Sequence, residues 1–263
     1  MSDTPDRPHP HLHVARTGDV VTVSLDRPEQ RNAQTPSLWA ALAGVAEGLD
    51  ASVRVVVLRG EGQSFSAGLD RGMLRPGGVE GEQDILALAV GGPEAAADAI
   101  EAFQRGFTAW ASVPAVVVAA VQGHAIGAGM QLALVADLRV VADDVQLAMR
   151  ETSLGLVPDL GGTGPLVRLV GPARALEICA TGRFVGAQEA VATGLANVAV
   201  PRAELEATTA DLVAALLAAP ADALRELKPL LAAAATSDRD TQLRLEREAQ
   251  GRLLHGMLQR AST

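Results

Sequence analysis

Two apolar, β-branched runs, Val55-Val56-Val57-Leu58 and Ala115-Val116-Val117-Val118-Ala119-Ala120-Val121, each lead into a glycine-centred segment. The segments are Ser64-Phe65-Ser66-Ala67-Gly68-Leu69-Asp70 and Gly123-His124-Ala125-Ile126-Gly127-Ala128-Gly129-Met130-Gln131. Runs of this kind read as buried strands, and a glycine after such a strand admits backbone conformations and close approaches that a Cβ would block. Two turns built this way can aim main-chain N–H groups at one oxygen, which is how an oxyanion hole is made from backbone.

With 263 residues, 48% of them hydrophobic and 20% charged, the chain can bury a large core as one domain or one domain plus an appendage. A net charge of −9 argues against a nucleic-acid partner, because phosphate binding needs a basic surface, although local arginines can still hold a phosphorylated group. Cys179 is the only cysteine, so an internal disulfide is excluded and a reducing cytoplasm fits. The first residues, Met1 to His13, carry prolines, charges and alternating histidines (His9, His11, His13) without an apolar core. They predict a flexible polar leader over 1–13 and neither a secretory signal nor a metal site. No apolar run reaches membrane-spanning length.

Leu12 to Leu25 alternates around Gly18-Asp19 and predicts a hairpin. Thr35-Pro36 opens a helix with Leu38, Leu42, Val45 and Leu49 as its apolar stripe. Further helices are predicted over 96–111, 127–135, 164–169, 173–180 and 187–192, and strands over 53–59, 115–121, 138–141, 145–149 and 197–200. Residues 75–92 are glycine-rich and acidic and read as a flap or surface insertion. Phe103, Phe107 and Trp110 stand at helical spacing and read as core packing in preference to an acyl pocket. After Pro201 the composition turns to Ala, Leu, Glu and Arg, giving about three helices broken at Pro220, Pro229 and Thr236-Ser237-Asp238. Leu243, Leu245, Leu253, Leu254 and Leu258 are too many apolar residues for a solvated arm, so packing on the core or on a neighbour is expected.

Five blocks in order resemble the crotonase, or enoyl-CoA hydratase/isomerase, superfamily over nearly the whole chain. They are Asp26-Arg27-Pro28-Glu29-Gln30-Arg31-Asn32-Ala33, then Phe65-Ser66-Ala67-Gly68-Leu69-Asp70, then Gly127-Ala128-Gly129-Met130-Gln131-Leu132-Ala133 running to Ala136-Asp137. Residues Glu151 to Thr163 and Gly194-Leu195-Ala196-Asn197 complete the order. The resemblance implies an α/β fold, a ββα spiral core over 14–200 with a C-terminal helical trimerisation region over 201–263. It also implies a homotrimer or hexamer, an acyl-CoA thioester as the bound partner, and no cofactor beyond the CoA of that substrate.

In that family the thioester oxygen, on becoming enolate-like, meets two main-chain donors, which here correspond to the N–H groups of Leu69 and Ala128. By the same resemblance Arg27, Arg31 and Ala33 sit where CoA phosphates or pantetheine pass, and Ser66, Ala67 and Asp70 line the adenine and pantetheine path. A solvated turn for the two arginines, and local loop bonding for Asp70, are the alternatives. Hydratases of the family hold a water between two glutamates. The corresponding positions here read Gln131 and Glu151, and an amide neither gives nor takes a proton at neutral pH. Asp159, in Val157-Pro158-Asp159-Leu160-Gly161-Gly162, resembles the acidic position that shuttles a proton in double-bond isomerases of the family. An apolar surround would raise its pKa, and capping of the helix near Gly161-Gly162-Thr163 is the competing role. A double-bond isomerase using Asp159 or Glu151 is thus expected ahead of an enoyl-CoA hydratase or a non-catalytic acyl-CoA binder, with a thioester hydrolase or decarboxylase behind them. His124 is a candidate acid that such a mechanism does not need. Gly123 to Gly129 lacks dinucleotide spacing, Gly161 to Gly164 lacks the P-loop lysine, and no G-x-S-x-G occurs.

Overall fold

The structure, a computed structural model, describes residues 6–261. The expected hairpin forms from β2 (Leu12–Thr17) and β3 (Val20–Leu25), turning at Gly18 with φ +57°. A strand not foreseen, β1 (Asp6–His9), pairs antiparallel with β2 at the sheet edge. Residues 6–13 are therefore part of the sheet and correct the expectation of a leader over 1–13, of which 1–5 lie outside the described residues. Burial of Leu12 and Val14, the Arg7–Asp26 ion pair at 3.0 Å and a 3.0 Å bond between His9 Nε2 and Ser37 Oγ hold this edge in place.

From β3 the chain enters α1 (Pro36–Glu47), with proline at the first helical position and Leu38 and Leu42 buried as expected. It returns as β4 (Val55–Gly60), parallel to β3. The 75–92 segment carries a short helix, α2 (Ile85–Leu88), continued by a 3-10 turn over Ala89–Gly91, before α3 (Pro93–Ser112) leads to β5 (Val116–Val121), parallel to β4. Phe103, Phe107 and Trp110 of α3 are buried, and Trp39 of α1 lies 5.3 Å from Phe103 and 5.8 Å from Phe107 between ring centroids. The aromatic stripe is core.

The chain then repeats the motif through β6 (His124–Ile126), α4 (Ala128–Val135), β7 (Leu138–Ala142) and β8 (Gln146–Ala148). Helices α5 (Thr163–Val170), α6 (Pro172–Thr181) and α7 (Ala187–Ala192) precede β9 (Val198–Val200). The main sheet runs β1-β2-β3-β4-β5-β7-β9, parallel from β3 onward. Its continuous valine runs suit a sheet covered on both faces. A second, shorter row of pairings crosses the spiral: Ser66 with Ala125, Ala125 with Leu147 through β6 and β8, and Leu147 with Val185.

The C-terminal region is helical as expected. In α8 (Leu205–Ala218), Leu205 and Val213 pack on the outer sheet face against Val55, Val57, Val118 and Val140. Pro220 separates α8 from α9 (Ala221–Ala234), but Pro229 lies inside α9 and does not break it. One proline forfeits a single i→i−4 bond, and strong helix formers (Leu227, Leu230, Leu231, Ala232) flank it. The last helix, α10 (Arg239–Ala261), packs on α9 with Arg252–Glu226 at 2.6 Å and Arg260–Asp222 at 2.9 Å, leaving Leu254 and Met257 exposed. Among the described residues no single helix is long and apolar enough to cross a membrane.

Candidate active site

The register of the short row brings the two glycine turns together. Ser66 and Ala125 pair in parallel, so the residues three positions on, Leu69 and Ala128, leave the row side by side. Leu69 is bracketed by Gln34, whose N–H donates to the Gly68 carbonyl and whose carbonyl accepts from Asp70 N–H, both at 2.8 Å. In a parallel bridge the bracketed residue's own N–H points away from its partner. Ala128 opens α4, where a first-turn N–H has no intrahelical acceptor and the helix dipole adds positive potential. Among the described residues neither N–H meets an acceptor. A methyl group on Gly68 would lie 3.2 Å from the Ala128 nitrogen and 2.3 Å from the Ile126 carbonyl oxygen. Glycine is thus required at Gly68 (φ +83°) and Gly127 (φ +53°, ψ −119°) for the turns to meet.

Glu151 stands against these two turns. A methyl on Gly127 would lie 3.4 Å from Glu151 Oε1, so the carboxylate borders the turn that carries Ala128. Gln131, on the same helix one turn in, is 1% exposed. Its Oε1 accepts from the N–H groups of Leu160 (2.9 Å) and Gly162 (3.2 Å), which forces its Nε2 toward Glu151 Oε1 at 2.8 Å. Glu151 Oε2 is buried without a partner. Burial pushes the Glu151 carboxyl above the usual range; the Gln131 bond pulls against this, and the nearby Asp159 charge adds to it.

Asp159 is half-buried, and desolvation likewise raises its carboxyl. Its carbonyl accepts from Gln104 Nε2 at 2.7 Å, which ties the Pro-Asp loop to α3. The N-cap of α5 is Gly162, with no side-chain cap, so Asp159 does not take the capping role weighed against the chemical one. Gln131 thus bonds Glu151, Glu151 borders the turn that carries Ala128, and the Asp159 charge acts on Glu151.

The remaining candidates divide. Arg27 Nη1 pairs with Asp70 Oδ2 at 2.7 Å, and Asp70 Oδ1 accepts from Gly72 N–H at 2.9 Å, the local loop bonding foreseen for Asp70. Arg31 is exposed in the left-handed region (φ 51°), its carbonyl accepting from Ala67 N–H at 2.8 Å. Ala33 and Ala67 are half-buried beside it, whereas Ser66 is fully buried and its hydroxyl bonds only to the scaffold. His124 Nδ1 lies 3.2 Å from Ser64 Oγ, and its ring meets Phe184 edge-on at 6.4 Å. Sequence reasoning missed the roles of Asn32 and Gln34, buried polar residues under the first turn, which no periodicity or spacing marks. Among the described residues no three His, Cys, Asp or Glu side chains gather as a metal site.

The known proteins this chain is similar to share the architecture. A solved Thermobifida fusca YX protein, provisionally named enoyl-CoA hydratase and in complex with acetoacetyl-CoA, superposes with a TM-score of 0.90 at 46% identity, covering 94% of this chain and 95% of its own. The Bacillus anthracis enoyl-CoA hydratase gives 0.80 at 30% identity over 93% and 91%. Carnitinyl-CoA dehydratase of Escherichia coli K12 is 34% identical over 222 residues, 83% of this chain and 79% of that protein. The family model described as enoyl-CoA hydratase/isomerase matches residues 15–260, which include both glycine turns, Gln131, Glu151 and Asp159. With its spiral core, its helical C-terminal region and a match of that extent, the chain belongs to the enoyl-CoA hydratase/isomerase family of acyl-CoA enzymes.

Proposed function

We propose that the protein shifts a double bond in an enoyl-CoA thioester by moving one proton between two carbons of the acyl chain. A carboxylate removes a proton from the carbon next to the double bond, the charge passes to the thioester oxygen held by Leu69 and Ala128 N–H, and the proton returns at the other end of the allylic system. No atom is gained or lost. The observation that carries this reading is the fixed amide of Gln131: its oxygen is occupied by two backbone donors and its nitrogen by Glu151, so the position of a second water-activating carboxylate holds a group that cannot transfer a proton. The titratable groups left are Glu151, whose free Oε2 suits a proton acceptor, and Asp159, whose carboxyl is raised by burial and whose charge acts on Glu151. The acetoacetyl-CoA bound to the Thermobifida fusca protein supports an acyl-CoA substrate. In this reading exposed Arg31 meets the CoA phosphates, with Arg27, Ala33, Ala67 and Asp70 shaping the wall behind it. Exposed Leu254 and Met257 on α10 support assembly into trimers or hexamers.

Hydration or dehydration is the second reading, favoured by the names of the relatives and by a buried Oε2 able to hold a water against Glu151. Incubating the protein with matched 3-enoyl-CoA and 2-enoyl-CoA in deuterated water, read by mass spectrometry, separates the two. Interconversion of the enoyl isomers without 3-hydroxyacyl-CoA supports the isomerase; rapid 3-hydroxyacyl-CoA formation replaces it with the hydratase. CoA thioester binding with neither product would leave a binding protein.

A further inference from the structure

Beneath the first glycine turn lies a buried polar cluster that takes no part in proton transfer. Ser66 and Gln34 are both 0% exposed, and Asn32 is 1% exposed. The Ser66 hydroxyl donates to the Asn32 carbonyl at 2.7 Å and accepts from Gln34 Nε2 at 2.9 Å and from Gly68 N–H at 3.1 Å. Gln34 is itself oriented, because its Oε1 accepts from Trp39 Nε1 at 2.8 Å and that indole is packed on Phe103 and Phe107. Polar groups this deep cost stability unless satisfied, and here the serine hydroxyl and the glutamine amide each find partners.

The bonds converge on one peptide. Ser66 Oγ holds the N–H of Gly68, while the Gln34 backbone holds the Gly68 carbonyl and the Asp70 N–H. The Leu69 N–H lies between those anchors, so its direction is set by them. Ser66 also reaches the second donor: its N–H donates to the His124 carbonyl at 2.9 Å and its carbonyl accepts from Ile126 N–H at 3.0 Å. A methyl on Gly129, in the first turn of α4, would lie 2.4 Å from the Ser66 carbonyl oxygen and 2.9 Å from Ser66 Cβ, so that turn rests directly on this serine.

We infer that Ser66, oriented by Gln34, is a positioning residue that fixes the spacing and direction of the two oxyanion donors, rather than part of the CoA-binding wall. The inference rests on the reading of Leu69 and Ala128 as oxyanion donors. Preorganised donors stabilise developing charge only when aimed at the oxygen the transition state will carry, so a loosened Leu69 N–H weakens charge stabilisation while ordinary binding persists.

The test uses the full chain with acetoacetyl-CoA, an enolisable thioester whose enolate absorbs in the near ultraviolet and is favoured by oxyanion donors. The wild type is expected to show an enolate band on binding. Ser66→Ala is expected to lower the bound enolate fraction by about tenfold, the effect of misaligning a donor rather than deleting it, with Ser66→Cys recovering part of the loss. Gln34→Met, which keeps the main-chain bonds, is expected to lose less than Ser66→Ala. Affinity for CoA without an acyl group should stay within about twofold, since uniform binding is untouched. An unchanged enolate fraction in folded Ser66→Ala overturns the inference, as does a parallel loss of CoA affinity. Should Ser66→Ala fail to fold, Gln34→Met decides on the same criteria. A wild type with no enolate band overturns both this inference and the oxyanion reading beneath it, whereas failure of the variants alone leaves that reading standing.

Discussion

Lys228, the only lysine in the chain, places its ammonium 2.8 Å from Asp137 Oδ2 and 2.9 Å from the Ala115 carbonyl oxygen. Asp137 Oδ2 also accepts from Val117 N–H at 2.8 Å, so one largely covered ion pair rivets α9 to the start of β5 and the end of α4. Removing one partner strands the other, which costs more than the pair contributes. Lys228→Met is expected to destabilise the protein by about 2–3 kcal/mol in urea unfolding.

The glycine of the first turn tolerates no side chain. Gly68→Ala would drive a methyl to 2.3 Å from the Ile126 carbonyl oxygen at a φ of +83°. The turn must then shift away from Ala128, and turnover is expected to fall by about a hundredfold or more, as when an oxyanion donor is lost. Gly18→Ala is the control: φ is also positive, but no atom lies within 4 Å, so only about 1 kcal/mol of strain and unchanged turnover are expected.

Glu151 ties activity to a cost in stability. Because burial holds its carboxyl above the usual range, the folded protein binds that proton more tightly than the unfolded chain. The stabilisation is complete below the unfolded pKa and is lost as pH rises through the raised folded value. Glu151→Gln is therefore expected to abolish proton exchange yet to be more stable than the wild type at neutral pH, with the advantage vanishing in acid. Denaturant midpoints at two pH values read this, and the acid limb of the wild-type rate profile should lie above the ordinary glutamate range.

Gln131→Glu tests the reaction type. A glutamate can keep one oxygen on the Leu160 and Gly162 donors, but its other oxygen then faces Glu151 Oε1 where an amide had donated at 2.8 Å. Two carboxylates so close share a proton, which supplies an acid beside a base. A gain of 3-hydroxyacyl-CoA product is expected by mass spectrometry, with the shared proton of the pair lost at a higher pH than from either residue alone.

Asp159→Asn separates the two carboxyls. Isomerisation is expected to fall by about 10² to 10⁴, the usual worth of a positioned acid or base, with CoA affinity held within a few-fold. Hydrogen-exchange at the substrate reads the first effect and calorimetry the second.

Much of this was legible because it is written in periodicity. The valine runs, the Thr35-Pro36 helix start and the limits of α7 follow from local pattern, and the glycine pair announced two turns that the structure brings together. The strand Asp6–His9 was not legible: its proline and charges carry no alternation, and only the neighbouring hairpin makes it a strand. Pro229 misled because one proline was weighed without the strong helix formers that flank it, and α9 runs through it. The bonds of Gln131 were hidden for a different reason. Its acceptor role depends on Leu160 and Gly162, brought to it by the turn before α5, and no spacing rule marks which end of an amide will face a carboxylate.

The pairing of Ser66 with Ala125 has a further consequence for how the molecule comes into being. The two glycine turns belong to chain segments far apart in sequence, joined by main-chain bonds that form only after a long stretch has closed on itself. Such closure is slow, since entropy is lost before contacts repay it. Helices can be in place while the two turns have not yet met, so recovery of acetoacetyl-CoA binding during refolding should lag recovery of helical signal, making the meeting of the turns a clock for the last step of folding.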